Sequence, residues 1–297
     1  MKVGTVAMVG KPNVGKSTLM NAIVGQKVSI VSDKPQTTRR RVLGISTTPE
    51  HQIVFIDTPG IHDPHTQLAK SMVEHARASL SEADIILFVV DGAHHPGEMD
   101  REIGKLIAAA KQDSPQISVV LCMNKMDQLK AENVEGYVEA FTELAGTEEY
   151  MMTTATRGVN VDKLVSILES HLPEGEALYG EDDFTDQSSR FLAGELVREK
   201  ILIATRQEIP HATAVLVEAW EDEGDLTRIS ASIFVEKASQ KGIIIGKQGQ
   251  FLKKIGSEAR KEIEEFLGRR VFLELHVKVR EGWRMDPRTL HELEYSD

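Results

Sequence analysis

The residues best suited to chemistry form one glycine-rich stretch near the start of the chain. Its spacing is G-x-x-x-x-G-K-S, and it lies between an apolar run at 6–9 and a helical pattern at 18–24. Such a loop turns several backbone N–H groups toward one point, and the dipole of the following helix favours an anion there. We therefore predict a phosphate-binding loop made of Gly10, Lys11, Pro12, Asn13, Val14, Gly15, Lys16, Ser17 and Thr18.

Two side chains of this loop have individual roles in such sites. Lys16 would reach the β- and γ-phosphates of a nucleotide, and the Ser17 hydroxyl would be a ligand of Mg²⁺. The polar segment at 31–41 lies at the right distance along the chain to cover the nucleotide. A threonine there can bind Mg²⁺ and respond to the γ-phosphate. Thr37 and Thr38 are both candidates for this switch, and we favour Thr38.

A second nucleotide-sensitive loop is predicted where the strand pattern at 52–56 ends. Asp57 would hold Mg²⁺ through water, and the N–H of Gly60 would meet the γ-phosphate. Asp, Pro and Gly also favour ordinary turns, so the position of this turn after the phosphate loop carries the prediction. The predicted phosphate contacts of this turn are Asp57, Thr58, Pro59 and Gly60.

The identity of the base is predicted from an N-K-x-D sequence after the apolar strand pattern at 117–123. Asp127 can accept hydrogen bonds from N1–H and the 2-amino group of guanine, whereas adenine lacks that pair of donors. An unpaired buried acceptor costs about 1–3 kcal/mol, so this carboxylate would select guanine. Lys125 would lie along the base, and Asn124 would tie this loop to the phosphate loop.

Length and composition limit the classes of protein that remain. A chain of 297 residues suggests two domains. Its one cysteine, Cys122, lies in an apolar run, which predicts a buried core thiol and a reducing compartment such as the cytoplasm. The longest aliphatic and aromatic run, at 85–90, is far shorter than the roughly 20 residues of a membrane helix. We therefore expect only peripheral membrane contact.

Charge is distributed unevenly along the chain. The total is −11, yet residues 236–288 contain 13 Lys and Arg against 8 Asp and Glu, a local net charge of +5. An acidic body with a basic C-terminal region favours a local site for a polyanion, although an ordinary solvated face would also fit this imbalance.

Strand and helix patterns alternate as far as residue 171, which predicts a mainly parallel sheet with helices on both faces and ligand loops at the carboxyl ends of the strands. Proline and glycine interrupt the pattern at 172–180. We therefore predict a first domain at 1–172, a linker at 173–185 and a second domain at 186–297.

The second domain is predicted to have the element order helix, strand, strand, helix, G-x-x-G, helix, strand. Val215, Val217 and Ala219 would share one face of its first strand. This order matches the type II KH fold, in which bare glycine backbone approaches single-stranded nucleic acid and a lysine meets a phosphate. Trp283 would either stack on a base or cap the core. The predicted RNA contacts are Ile245, Gly246, Lys247, Gln248, Gly249, Lys253, Arg280 and Trp283.

Together these motifs resemble the Era family of bacterial GTPases over almost the whole chain. The matching stretches are GKPNVGKS at 10–17, QTTR at 36–39, DTPG at 57–60, NKMD at 124–127, SQKGIIIGKQGQ at 239–250 and VKVREGW at 277–283. The resemblance implies an α/β P-loop GTPase domain followed by an α+β type II KH domain. It also implies Mg²⁺-dependent hydrolysis of GTP to GDP, and binding of the 3′ end of 16S ribosomal RNA during assembly of the 30S subunit.

The resemblance implies further details. Thr154, Ala155 and Thr156 would contact guanine, with Thr154 replacing the serine that is usual in that motif. Asn13 would be a ligand of K⁺. A cytoplasmic protein with peripheral association with the inner face of the cell membrane is implied as well, and we expect a monomer.

Ile61 limits the predicted mechanism, because many GTPases place a water-orienting glutamine just after D-x-x-G. An isoleucine can neither donate nor accept a proton, so unaided turnover should be slow and no general base is predicted. The backbone, K⁺ or another loop would have to position the water. Two alternatives stay open at this point: an RNA chaperone or scaffold with a structural nucleotide site, and a small-molecule kinase.

Overall fold

The computed structural model describes residues 1–34, 37–58, 79–206 and 209–295, which form two compact units. Of these residues, the first unit holds 1–29, 38–58 and 79–186. The second holds 187–206 and 209–295, together with the 30–37 segment, of which 30–34 and 37 are described. Part of the chain between the first helix and the second strand therefore groups with the C-terminal unit.

The first unit contains a six-stranded sheet in the order β2-β3-β1-β4-β5-β6. All neighbouring strands are parallel except β2, which pairs antiparallel with β3. The strands are β1 (Lys2–Val9), β2 (Val42–Thr47), β3 (His51–Asp57), β4 (Ile85–Asp91), β5 (Ser118–Asn124) and β6 (Tyr150–Met152). This is the mainly parallel sheet that the alternating pattern predicts.

Helices cover both faces of this sheet because side chains alternate along each strand. Val6 and Met8 of β1 belong to one buried cluster, whereas Ala7 and Val9 belong to the cluster on the opposite face. The first cluster includes residues of α1 and α4, and the second includes residues of α2 and α3. These helices are α1 (Lys16–Val24), α2 (Glu98–Asp113), α3 (Val134–Ala145) and α4 (Val161–His171).

The stretch predicted as a linker runs along the first unit. Near its start, the Val3 N–H donates to the Pro173 carbonyl at 2.9 Å. The fully buried Gln52 amide then fixes its middle, since Oε1 accepts from the N–H groups of Leu178 and Tyr179, and Nε2 donates to the Tyr179 carbonyl. Residues 173–185 are therefore an ordered part of the first unit.

The end of this stretch lies against β2, the edge strand of the sheet. The Ile45 N–H donates to the Phe184 carbonyl at 2.9 Å, and the Thr185 hydroxyl donates to the Leu43 carbonyl at 2.7 Å. The outer edge of β2 thus finds backbone and side-chain partners within the chain.

The second unit has a three-stranded sheet in the order β7-β8-β9, with β7 antiparallel to β8 and β9 parallel to β8. A parallel pair needs a crossover, which two helices provide here. The strands are β7 (Ala214–Glu223), β8 (Leu226–Val235) and β9 (Arg270–Val279). The helices are α5 (Ser189–Ala204), α6 (Ile209–Ala212), α7 (Ala238–Ile245), α8 (Gln250–Leu267) and α9 (Pro287–Glu292). This is the α+β order predicted for a type II KH domain.

One detail of the predicted inner face is wrong. Val215 and Val217 are buried in the core of the second unit, but the pairing of β7 with β8 shifts register between Val217 and Ala219. A bulge of this kind inserts one residue and reverses the alternation that follows it. Trp220 therefore packs against the core, and Ala219 is not among its members.

Within the described ranges, the structure contains no helix with the length and apolar character to cross a membrane.

Candidate functional site

The predicted phosphate loop joins β1 to α1, and two of its glycines are required by close packing. A Cβ atom on Gly10 would come within 2.1 Å of the Val89 carbonyl oxygen. Gly15 has a left-handed φ of 100°, and a Cβ atom there would lie 2.3 Å from the Asn124 side-chain nitrogen. The G-x-x-x-x-G spacing therefore lets the loop pass between neighbouring strand ends without a steric clash.

Lys16 begins α1 and points back over the loop. Its ammonium donates to the carbonyls of Gly10 at 2.9 Å and Lys11 at 3.3 Å, and the residue is buried. Burial lowers the pKa of Lys16 from its ordinary value, and the charge of Asp57 partly offsets that effect. The amine is therefore held in a desolvated position where an added phosphate would be its strongest partner.

The three residues predicted to hold Mg²⁺, directly or through water, come from different parts of the sequence and converge beside Lys16. The Ser17 hydroxyl donates to Asp57 Oδ2 at 2.6 Å and lies 3.1 Å from the Thr38 hydroxyl. The Thr38 hydroxyl also lies 3.4 Å from Asp57 Oδ2. Ser29, which was not predicted, donates to the same carboxylate oxygen at 3.1 Å. Hard oxygen donors of this kind are those that Mg²⁺ prefers.

The environment of the Asp57 carboxylate suits a bound cation. Its Oδ1 atom is buried and has no hydrogen-bond partner among the described residues. Burial raises the pKa of Asp57 above its ordinary value, although the charge of Lys16 and the three hydroxyl contacts oppose the shift. A divalent cation would supply both the missing partner and a compensating charge, so these residues fit Mg²⁺.

The two candidate switch threonines point in different directions. The Thr37 hydroxyl turns into its own loop, where it donates to the Lys34 carbonyl at 2.6 Å, while Thr38 faces Ser17. The Thr58 hydroxyl is also turned inward and donates to the Met8 carbonyl at 2.8 Å. Three further predicted residues lie outside the described residues: Pro59, Gly60 and Ile61.

Asn124 joins the predicted guanine loop to the phosphate loop. Its Nδ2 donates to the Val14 carbonyl at 2.9 Å, and its Oδ1 accepts from the Ala155 N–H at 3.0 Å and the Thr153 hydroxyl at 3.1 Å. Since Asn124 ends β5 and Ala155 follows β6, one buried amide aligns three loops. The tie to the phosphate loop agrees with the predicted role of Asn124, while the partner Thr153 was missed.

The other predicted guanine contacts lie in the loops that follow β5 and β6. Thr154 is buried, and Ala155 and Thr156 belong to a short 3-10 helix that follows it. The Asp127 carboxylate is accessible to solvent and lies 3.9 Å from Arg157 Nη2. An accessible carboxylate can accept hydrogen bonds from a base edge.

Two buried carboxylates near the site were not predicted. Asp91 at the end of β4 accepts from Lys125 Nζ at 2.9 Å, and the buried Asp100 of α2 pairs with Lys11 Nζ at the same distance. The end of a buried apolar strand was a usable signal for Asp91. Asp100 lies in an amphipathic helix, and no local pattern connects it with the phosphate loop 89 residues earlier.

In the second unit, the G-x-x-G sequence forms a tight loop between α7 and α8. Gly246, Gln248 and Gly249 have φ values of 71°, 52° and 75°, which turn the backbone outward in a way that most side chains disfavour. Lys247 and Gln248 are exposed at its tip, with Ile245 partly buried beneath. The loop therefore offers bare backbone and a lysine side chain at the surface.

A shallow groove begins at this loop and runs between α8 and the edge strand β9. Leucine side chains form its floor, and Lys253 and Arg260 supply positive charge along the helix side. Apolar floor and cationic rim together suit stacked bases and their phosphates. The residues that line it are Gly249, Leu252, Lys253, Gly256, Ser257, Arg260, Leu273 and Leu275. Of these, only Gly249 and Lys253 were predicted.

The last two predicted RNA contacts are engaged inside the unit. Trp283 is fully buried, and its Nε1 donates to the Ala212 carbonyl at 3.0 Å. Of its two predicted roles, the structure therefore shows the indole capping the core and not exposed for stacking on a base. Arg280 is partly buried, lies over the Phe234 ring at 5.7 Å and pairs with Glu292 at 2.7 Å. Its charge is therefore already matched by a carboxylate of α9.

Comparison with known proteins finds relatives of both units. The family described as 50S ribosome-binding GTPase matches residues 5–125, and the KH domain family matches residues 208–284. The GTPase Era of Geobacter metallireducens is 46% identical over 295 residues, which is 99% of this chain and 97% of that protein.

Two solved structures are similar over the full length of both chains. A crystal structure of Aquifex aeolicus Era, a variant bound to GDP·AlF₄⁻, has 43% identity and a TM-score of 0.95. Another crystal structure contains Era with MgGDPNP and nucleotides 1506–1542 of 16S ribosomal RNA, also at 43% identity and with a TM-score of 0.93. Both cover 100% of this chain and 100% of the other.

Proposed function

The chain belongs to the Era family of GTPases, and on that basis we propose that it is a GTP-hydrolysing switch that binds the 3′ end of 16S ribosomal RNA in 30S subunit assembly. The observation that carries the nucleotide half is the convergence of Ser17, Thr38 and Asp57 beside Lys16. The groove between α8 and β9 supports the RNA half. A relative that is 43% identical over the full length of both chains has been crystallised with MgGDPNP and a fragment of 16S ribosomal RNA.

In this mechanism the residues position charge more than they move protons. The phosphate-loop N–H groups and Lys16 would bind the β- and γ-phosphates, and Ser17, Thr38 and Asp57 would hold Mg²⁺, which neutralises charge that develops during transfer. Asp127 would select guanine. The predicted contact of Gly60 with the γ-phosphate stays a prediction, and so does the slow turnover expected from Ile61.

We propose K⁺ as a second cation, with Asn13 as one of its ligands. Asn13 has a left-handed φ of 65° and is exposed in the phosphate loop. A fixed positive charge near the phosphates would partly replace a missing catalytic side chain. The test compares hydrolysis in KCl and NaCl at equal ionic strength; equal rates in the two salts would contradict a K⁺ site.

The decisive experiment measures coupling between the two ligands. Protein is loaded with GDP or with a non-hydrolysable GTP analogue, and its affinity for a single-stranded oligomer from the 16S 3′ end is measured at one salt concentration. We expect tighter binding in the triphosphate form, by a factor in the usual range of about 5–150 for coupled sites, with RNA reciprocally favouring GTP. Equal affinities would favour a scaffold.

The scaffold alternative makes a second distinct prediction. A Lys16→Ala protein loses the buried amine that faces the phosphates and should fail to bind GTP. If that protein still supported maturation of 30S subunits in cells, the nucleotide site would be only structural.

The kinase alternative is tested by supplying ATP and nucleosides, since a kinase would form a phosphorylated product. Cytoplasmic location, peripheral membrane contact and a monomeric state stay predictions.

A further inference from the structure

The second unit holds a segment that lies between two parts of the nucleotide site in sequence. The 30–37 segment groups with residues 187–206 and 209–295, although the chain enters it from α1 and leaves it toward β2. Two side chains of helix α5 bind backbone groups near the two ends of this segment. Glu199 Oε1 accepts from the Val31 N–H at 2.8 Å, and Arg198 Nη2 donates to the Thr37 carbonyl.

These two side chains are buried and charged, which makes their contacts specific. Arg198 has no exposed surface and Glu199 has 2%. Arg198 is further held by Glu195, whose two carboxylate oxygens lie 2.7 and 2.5 Å from its guanidinium, and Lys200 pairs with Glu199 at 2.9 Å. Buried charges are tolerated only in well-matched arrangements, and the planar guanidinium fork fixes direction as well as distance.

The carbonyl bound by Arg198 belongs to the residue directly before Thr38. Successive Cα atoms are only about 3.8 Å apart, so a fixed Thr37 carbonyl restricts the position of the next residue strongly. Thr38 then lies 3.1 Å from the Ser17 hydroxyl, on the side of the loop where the Mg²⁺ ligands meet. Two contacts made inside the second unit therefore hold backbone at Val31 and at Thr37, the residue directly before Thr38.

We propose that Arg198 and Glu199 are positioning residues for the triphosphate state, because they hold the backbone at Val31 and Thr37 so that Thr38 is ready to bind Mg²⁺ and sense the γ-phosphate. This inference rests on the proposed GTPase function. GDP lacks the γ-phosphate, so its binding should depend little on this arrangement. The pair therefore contributes to discrimination between GTP and GDP.

The primary test uses Arg198→Lys, which keeps the charge but loses the fork that reaches Glu195 and Thr37 together. With Mg²⁺ present, we expect the affinity for a non-hydrolysable GTP analogue to fall about tenfold, as for loss of a charged hydrogen bond, and the affinity for GDP to change less than twofold. Arg190→Lys is the matched control, since Arg190 is an exposed arginine of the same helix and should change neither affinity.

A double-mutant cycle distinguishes positioning from general stabilisation. If Arg198 acts through Thr38, then Arg198→Lys should have no added effect on analogue affinity in a Thr38→Ala background. Additive losses would overturn the proposal, and so would equal losses for GDP and the analogue. A GTP analogue that fails to bind the unaltered protein would instead contradict the proposed function itself.

A second variant covers the case in which Arg198→Lys does not fold. Glu199→Gln keeps the side-chain volume but replaces the charged acceptor of the Val31 N–H, and it leaves Arg198 with its Glu195 partner. We expect the same selective loss of analogue affinity, with thermal unfolding measured in parallel. An unchanged ratio of analogue to GDP affinity in a folded Glu199→Gln protein would count against the inference.

Discussion

The nucleotide site and the groove of the second unit differ in how strongly their side chains are held by one another. In the nucleotide site, buried groups already bind one another, as when Asn124 joins three loops and Ser17, Thr38 and Asp57 share hydrogen bonds. In the groove, the exposed Lys253 stands beside a leucine floor, and Lys247 is exposed in the adjoining loop. The nucleotide site therefore holds its polar groups in fixed orientations, whereas the groove presents charge and apolar surface.

This difference suits two kinds of ligand. A nucleotide is small, so each misplaced buried polar group costs a large share of its binding energy. A single strand of RNA spreads its contacts over several nucleotides, and long-range attraction to phosphates tolerates mobile side chains. We therefore expect single substitutions to be severe in the nucleotide site and graded in the groove.

The largest expected effect is at the base. Asp127→Asn would replace an acceptor of two guanine donors by an amide, so GTP affinity should fall about 100-fold or more. The same amide can donate to the 2-carbonyl of xanthine, so xanthosine triphosphate should bind better than GTP. Competition titrations with both nucleotides provide the measurement. An unchanged preference for GTP would show that Asp127 does not read the base.

The next effect tests the packing of the phosphate loop. In Gly15→Ala, the new methyl group would press on the Asn124 amide, and we expect at least about a tenfold loss of nucleotide affinity. Gly25→Ala is the control, because Gly25 also has a positive φ, 74°, but an added methyl group there would meet no atom of the described residues within 4 Å. It should lower stability by about 1 kcal/mol without affecting nucleotide binding. Similar affinities in both variants would refute the clash.

A smaller effect concerns the pH dependence of stability, which reports how well the core of the first unit excludes water from the Cys122 thiol. Burial raises the pKa of the Cys122 thiol from 9.0 to about 12. At pH 10 the unfolded chain loses this proton and the folded chain keeps it, so the free energy of unfolding should fall by about 1.4 kcal/mol per pH unit above the ordinary pKa.

Denaturant titrations at pH 8 and pH 10 provide the measurement, with Cys122→Ala as the reference. The variant lacks the titrating thiol, so its stability should decline less over this interval. Parallel declines in the two proteins would mean that the thiol is not protected by burial.

The smallest effect sharpens the description of the groove. Lys253→Ala removes one exposed charge at its rim, and RNA affinity should fall only a few-fold, with the slope of log affinity against log salt decreasing by about 0.7. Lys254→Ala is a close control, since the neighbouring Lys254 pairs with Glu258 at 3.9 Å and does not line the groove. Equal losses from the two substitutions would place the RNA elsewhere on the helix.

Short-range features were the most predictable from the sequence. The phosphate loop, the strand-end Asp57 and Asn124, and the loop at Gly246–Gly249 all follow from local turn geometry and from the rule that parallel strands present their carboxyl ends together. Each of these motifs is made of a few consecutive residues, so it can be recognised without knowledge of distant contacts. The structure accordingly brings Ser17, Thr38 and Asp57 together as expected.

Features that depend on distant contacts were not predictable. Arg198 and Thr37 are 161 residues apart, and nothing in the helical pattern of α5 marks Arg198 as a partner of that carbonyl. Trp283 is an aromatic residue of the kind that stacks on bases, yet its burial depends on the Ala212 carbonyl and on tertiary packing. The bulge before Ala219 had no glycine or proline to announce it.

The stretch that runs from Pro173 to Thr185 has a consequence for how copies of this protein meet. An open sheet edge offers unpaired N–H and C=O groups to strands of other molecules and so promotes aggregation. Phe184 and Thr185 occupy that position along β2, and the opposite edge strand, β6, is only 3 residues long. A fragment that ends at residue 172 would uncover β2 and should self-associate, whereas one that extends to 186 should stay dispersed.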